Sequence, residues 1–282
     1  MTPLILMILG LCAGSFVNAI VWRIHQQTLS KSKRAKSKKA SQLSIVNGRS
    51  ICVNCYHQLA WYDLIPVISW ISLKGKCRYC HKPISLQYPI VELSTAILFL
   101  ISYAHWPLSL SGLGLFDFIV WLIMLTGLMA LTIYDLKWTI LPNRIIYPLS
   151  GMAFLTILIE ASFFQGGLTQ IEQSIWALLI GGGIFYLLFQ ISSGKWIGGG
   201  DVKLGALLGL IVGKPTNSLL FIVAASLLGS LITLPLLLSH RLKASSKIPF
   251  GPLLITGAII AKLFGVVIVN WYTRQFLFIT RT

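Results

Sequence analysis

Acidic residues are nearly missing from this chain: seven Asp and Glu stand against 23 Lys and Arg in 282 residues, a formal net charge of +16. Charged residues of both signs reach only 11%, where a soluble domain carries about 25%. That shortage excludes a protein kept in water by its surface, and 56% hydrophobic residues describe a polytopic membrane protein instead. Fibrous, disordered and disulfide-scaffold classes are excluded by the same composition. No internal repeat is visible, which removes solenoids and arrays. Nor is there a basic residue before Arg23, so Met1–Trp22 lacks the charged start of a secretory signal. Leu11 is too large for a lipoprotein-type cut before Cys12. The first segment is therefore expected to be a retained transmembrane helix.

A large positive charge can mean nucleic acid or a membrane surface, and the placement of the charges decides. Twelve of the basic residues lie between Arg23 and Lys82, opposed only by Asp63. The densest run, Ser30–Ser41, has no apolar period and no interleaved aromatic residue, so it suits a solvated loop near anionic headgroups and not a nucleic acid. Apolar runs of about 20 residues are needed to cross a bilayer. They fall near 4–22, 89–106, 115–134, 145–163, 174–191, 201–213, 217–238 and 250–271, the sixth being short and opening on a charge. Placing 23–88 in the cytoplasm puts Lys137, Arg144, Lys195, Arg241, Lys243 and Lys247 in inside loops, as the positive-inside rule requires. Lys214, Arg274 and Arg281 fall outside, and Lys262 sits within the last run. The expected fold is an all-α polytopic membrane protein of about eight transmembrane helices. It divides into a first helix (1–22), a cytoplasmic basic loop with a metal module (23–88) and a transmembrane core (89–282).

The metal module rests on four cysteines. Cys52-x2-Cys55 and Cys77-x2-Cys80 have 21 residues between them, close to zinc-ribbon spacing. Each pair offers two thiolates from one tight turn, and two such turns close a tetrahedral zinc site. Cytoplasmic thiols stay reduced, which disfavours disulfides. A module of this size has little core, and a metal supplies folding energy. His57 and His81, just past each pair, are alternate ligands that four cysteines make unnecessary. Four thiolates leave no open position for water, so the metal is structural.

With so few acids, each can be weighed. Asp117, Glu160 and Glu172 sit at span ends where headgroups solvate them, and Asp63 is expected on the module's surface. Glu92, opening the second span, is either an acid favoured by the helix dipole or a site residue. Asp135 closes the third apolar run, and Asp201 follows Gly198-Gly199-Gly200. A hairpin of two spans between them returns the chain to the same face, so both lie at similar depth, where ionisable groups are costly and usually functional. Two carboxylates sharing a site hold one proton between them, the arrangement of aspartic proteases. The three glycines are expected to let the backbone unwind and approach a substrate. The competing reading is two unrelated loop aspartates, one paired with Lys137 or Lys203.

These residues resemble a known family. Gly14-Ser15-Phe16 with Asn18 and Arg23, the tract Trp61–Glu92 carrying the second cysteine pair, Gly198-Gly199-Gly200-Asp201 with Lys203, and Ile248-Pro249-Phe250-Gly251-Pro252 are similar to the bacterial type IV prepilin peptidases. The resemblance covers nearly the whole chain except the lysine-rich stretch around 28–47. It implies a bifunctional, multi-pass inner-membrane enzyme. Such an enzyme cleaves the leader of type IV prepilins and type II secretion pseudopilins, then N-methylates the new N-terminus with S-adenosylmethionine. It maps the catalytic aspartates onto Asp135 and Asp201. Two departures stand out: Val53 where many members have Pro after the first Cys, and Asn143 where many have Asp in Leu-Pro-Asp. No G-x-G-x-x-G turn supports the methyltransferase half, and the soluble stretch is too short for a doubly wound nucleotide fold.

Two rivals remain at this point. A transporter or channel with a cytoplasmic zinc module would also use acids in the membrane, but near the midplane. A presenilin-like protease shares the aspartates and leaves the cysteine tract unexplained.

Overall fold

The structure, a computed structural model, describes residues 1–29, 44, 48–163, 167–239 and 248–276. The lysine-rich run and the 240–247 loop of the sequence analysis lie outside them. The elements are helices: α1 Thr2–Thr28, a 3-10 turn Trp61–Leu64, α2 Ile68–Ser72, α3 Gln87–Ala104, α4 Gly112–Trp138, α5 Asn143–Phe163, α6 Gly167–Ile191, α7 Gly199–Val212, α8 Pro215–Leu238 and α9 Gly251–Phe276. Among the described residues, β pairing is confined to the isolated bridges Ile51–Gln58 and Lys76–Pro83. Seven helices are long and apolar enough to cross a membrane: α1, α3, α4, α5, α6, α8 and α9. The remaining expected span, 201–213, is helical, but its 14 residues reach only about 21 Å, short of a hydrocarbon core of about 30 Å.

By contacts the chain forms two units: Met1–Ala104 with Leu125–Ala130, and His105–Met124 with Leu131–Thr282. In the first, α1 and α3 run antiparallel at backbone contact. A Cβ on Gly10 would lie 2.5 Å from the Cα of Ala96, and one on Gly14 would lie 2.5 Å from the Cα of Glu92. Small residues four apart are what such a close seam needs. The seam is then fixed by polar groups: Asn18 Nδ2 donates to the Tyr88 carbonyl (3.2 Å), and Gln87 Nε2 donates to Asn18 Oδ1 (3.1 Å). Arg23, buried, donates to the carbonyl of Gly48 at 2.9 Å. The Gly14, Asn18 and Arg23 of the N-terminal motif therefore build the α1–α3 pair and hold the returning loop.

In the second unit α7 packs against α6 in the same way. Cβ atoms on Gly205 and Gly209 would each stand 2.4 Å from a carbonyl oxygen, of Gly181 and Ala177 respectively. α7 stops at Gly213, in the left-handed conformation (φ 68°), whose N–H returns to Gly209. Beyond this stop, Lys262 of α9 donates from Nζ to the Ile211 carbonyl at 3.1 Å. A hydrogen bond from a charged donor is worth about 1.5–3 kcal/mol. Here it ties the C-terminal end of α7 to α9, which gives the awkward lysine of the last span its place. A cavity of about 380 Å³ opens there, lined by Asp117, Glu160, Gln170, Lys214 and Lys262 among others. Glu160 accepts from Gln170, and Asp117 Oδ1 is buried without a hydrogen-bond partner. These two acids are thus built into the protein and are not simply solvated by headgroups, contrary to the sequence expectation.

Candidate functional site

The second unit assembles its aspartates from three helix ends. Asp135 lies in the last turn of α4, buried to 5% exposure, because the apolar run Leu115–Tyr134 carries the helix up to it before Thr139 closes it in the left-handed conformation. Its Oδ2 accepts the backbone N–H of Gly251, the first residue of α9, at 3.0 Å. That amide is one of the donors a helix leaves unpaired at its start, and the dipole there favours an acid. No β-carbon fits at 251: it would lie 2.7 Å from Asp135 Oδ2. Phe250, just before the glycine, packs edge-on against Phe185 of α6 at 6.1 Å and so fixes where α9 begins.

Asp201 sits in the first turn of α7, one turn before Leu204, whose Cδ2 would lie 3.5 Å from a Cβ on Gly251, the residue whose N–H Asp135 accepts. The glycines before Asp201 are not unwound as expected. Gly198 caps the helix, and Gly199 and Gly200 are already helical. Their missing side chains have another effect: a Cβ at 199 would find no neighbour nearer than 3.9 Å, whereas one at 200 would press on Leu141 at 3.3 Å. The backbone beside Asp201 is left bare on one side and tightly packed on the other. Lys203 points away and donates to Asn143 Oδ1 at 3.0 Å, with Tyr147 beneath its ammonium. Lys137 lies over the ring of Trp138. Neither lysine forms an ion pair with an aspartate.

The first unit holds the cysteines. All four Sγ atoms lie within 4.8 Å of one another, with Cys52 and Cys80 at 3.9 Å. Sulfurs on a zinc tetrahedron with Zn–S of about 2.3 Å stand about 3.8 Å apart. The two turns repeat one another. Cys52 N–H bonds to the His57 carbonyl and Cys77 N–H to that of Lys82, each at 2.9 Å. The residue after each second cysteine, Tyr56 and His81, has a positive φ (59° and 57°). Burial pushes the Cys52 thiol up to about 12, against N–H groups of Cys55 and Asn54. Burial also raises Cys77, but the N–H groups of Cys80 and Tyr79 bring it down to about 7. Four thiols this close ionise together only around a cation. His57 instead stacks on Tyr79 at 3.7 Å, and neither His57 nor His81 joins the sulfur cluster.

Asp63 is not a surface residue. Its side chain is 3% exposed, accepting from Arg78 Nε (2.8 Å) and Tyr79 Oη (3.1 Å), so it clamps the second cysteine turn to the 3-10 turn. Glu92 is likewise buried, and its Oε2 accepts the N–H of Val67 at 2.8 Å. Sequence reasoning left Gly251 without a role. Its signal was the Gly-Pro pair at the mouth of the last apolar run, a helix start with a Cβ-free first residue.

Residues 8–106 match the bacterial peptidase A24 N-terminal domain, and residues 122–234 the type IV leader peptidase family. A prepilin leader peptidase/N-methyltransferase of Aeromonas hydrophila is 31% identical, over 95% of this chain and 92% of its own. One of Bacillus subtilis (strain 168) is 31% identical over 97% and 98%. A type 4 prepilin-like proteins leader peptide-processing enzyme of Escherichia coli O78:H11 is 32% identical over 91% and 92%. The chain belongs to the type IV leader peptidase family. No solved structure matches it.

Within this leader peptidase the tetrad's donor set fits a metal ion, with zinc as the proposed occupant. The prediction is that Cys77→Ser lowers bound zinc from about one per chain to well below half of that. Elemental analysis of purified protein reads it. Wild-type protein without zinc, and with all four thiols reactive, would reject the assignment.

Proposed function

We propose that this protein removes the leader peptide of type IV prepilins and type II secretion pseudopilins with Asp135 and Asp201, and then methylates the new N-terminus. It works in the bacterial inner membrane with the aspartates and the cysteine module on the cytoplasmic side, where the basic loops of the sequence lie. The family membership and the names of its relatives support a protease with methyltransferase activity. The observation that supports the dyad is the placement of Asp135 on the N–H that opens α9, with Leu204 of α7, one turn after Asp201, beside the same glycine and open glycine backbone at 199.

The chemistry follows from that arrangement. Oδ2 of Asp135 is engaged by Gly251, so Oδ1 is the oxygen assigned to proton transfer. One carboxylate takes a proton from water as the oxygen attacks the peptide carbonyl. The other carboxyl gives its proton to the carbonyl oxygen. Collapse of the tetrahedral intermediate breaks the C–N bond, and the proton held by the base goes to the leaving amine. A leader of polar residues stays in the cytoplasm while the pilin's apolar helix lies in lipid, so the bond to be cut reaches the interface where α4 ends.

S-adenosylmethionine supplies the methyl group to the freed amine. Among the described residues there is no parallel sheet of the kind a doubly wound nucleotide fold uses. The cysteine module is separate from the aspartates in the chain, and its proposed role is structural.

The test is direct. Purified protein incubated with a prepilin in detergent or vesicles should give a loss of leader mass, and with S-adenosylmethionine a gain of one methyl group on the mature N-terminus. Intact prepilin after prolonged incubation with well-folded, zinc-loaded protein would reject the reading.

A further inference from the structure

The segment between the two cysteine pairs has more exposed apolar surface than a water-facing module tolerates. Trp61 is 77% exposed, Ile68 64% and Ile71 62%, with Leu64 and Ile65 beside them also open. Ile68 and Ile71 are three apart and so share one face of α2. Trp70, on another side of the helix, is turned inward, donating to the Ile84 carbonyl and covering Gly75.

The depth of this segment is fixed by its own unit. Val67, which caps α2, gives its N–H to Glu92 Oε2. Glu92 is the sixth residue of α3, about 7.5 Å along the helix from Gln87 at 1.5 Å per residue. Its Cα also abuts Gly14 of α1. Gly14 lies in the middle of an uncharged stretch whose first basic residue is Arg23, about 13.5 Å further along α1. A side chain's length therefore separates Val67 from a point well inside two membrane-spanning helices. Val67 is held there with φ at 61°, an outlier for a β-branched residue that needs a firm partner.

We infer that Trp61–Ser72 is a membrane-interface anchor: the 3-10 turn and α2 lie in the headgroup layer beside α1 and α3, with Trp61, Ile68 and Ile71 in contact with lipid. Tryptophan with aliphatic residues at this depth is the pattern of interfacial elements. The charge around it matches an anionic surface. Arg49, Lys74, Lys76, Arg78 and Lys82 accompany it in the described module, against Asp63 alone. Each basic side chain near such a surface adds to the attraction. Because Asp63 ties the 3-10 turn to Arg78 and Tyr79, the anchor carries the second cysteine turn with it and holds the sulfur cluster against the membrane.

The experiment uses the full chain in vesicles of phosphatidylethanolamine and phosphatidylglycerol. A genetically encoded, environment-sensitive fluorescent residue replaces Ile68 or, as control, Asn54 on the exposed first cysteine turn. Nitroxide-labelled lipid should quench the probe at 68 at least about twofold more than that at 54, as insertion of about 5–10 Å into the boundary requires. Aqueous iodide should show the reverse. A second arm places the probe at Trp61 and adds Ile68→Glu with Ile71→Glu. These exposed positions leave zinc content and thermal unfolding in detergent unchanged, while lipid quenching at 61 falls to the control level. Equal quenching of 68 and 54 by lipid overturns the anchor. So does protection of the probe at 68 that appears only on adding a prepilin, or only on self-association of the chain.

Discussion

Asp135→Asn and Asp201→Asn are each expected to reduce leader cleavage by at least about 10³-fold while the protein still inserts and binds zinc. Asparagine is the informative replacement because it is nearly isosteric. At 135 its carbonyl oxygen still accepts the Gly251 N–H, so the joint between α4 and α9 survives and only the acid–base function is lost. At 201 the side chain stands in the first turn of α7 and half-exposed, so its exchange removes an acid without opening a cavity. The cysteines belong to the other unit and give an internal control: zinc per chain should match wild type in both variants. Residues acting as one device are not additive, so the double variant should be no slower than either single one. The measurement is leader removal from a purified prepilin at matched amounts of enzyme. Cleavage within about tenfold of wild type by either variant would end the dyad proposal.

How much of this was legible beforehand depends on the range of the contact concerned. The spans were readable because about 20 apolar residues in a row have few alternatives to lipid, and the helices α1, α3, α4, α5, α6, α8 and α9 follow those runs. The cysteine cluster was readable because each half is a local turn, and the two halves need only meet. The expectation of a common depth for Asp135 and Asp201 came from counting spans. What did not show were pairings across long stretches of chain. Gly251 meets Asp135 over 116 residues, and the Gly-Pro pair there marks a helix start without naming its partner. Asp63 looked like a surface acid because its partners Arg78 and Tyr79 come from the other cysteine turn. The glycines before Asp201 were read as freedom, but α7 uses them as space. Glu92 was left between a dipole role and a site role. It holds the strained Val67 amide, a partner 25 positions away that no periodicity reports.

Gly251→Ala should lower kcat for leader cleavage by about 10²-fold with little change in KM, the loss expected when a reacting group is displaced by about 1 Å. The added carbon would stand 2.7 Å from Asp135 Oδ2 and 3.2 Å from Cγ, distances that require one side to move. α9 cannot easily yield: Phe250 is packed on Phe185 at its start, and Lys262 is bonded to Ile211 further along. The carboxylate of Asp135 therefore moves, losing its N–H and its alignment with Asp201. Gly199→Ala is the matched contrast. Its Cβ would meet nothing nearer than 3.9 Å, so the fold accepts it, and any penalty comes from a substrate approaching the bare backbone. That variant should raise KM and leave kcat nearly unchanged. Steady-state cleavage of one prepilin by both variants separates the cases. A Gly251→Ala enzyme with wild-type kcat would mean that the α9 amide does not position Asp135, and a Gly199→Ala enzyme with normal KM would mean that substrate passes elsewhere.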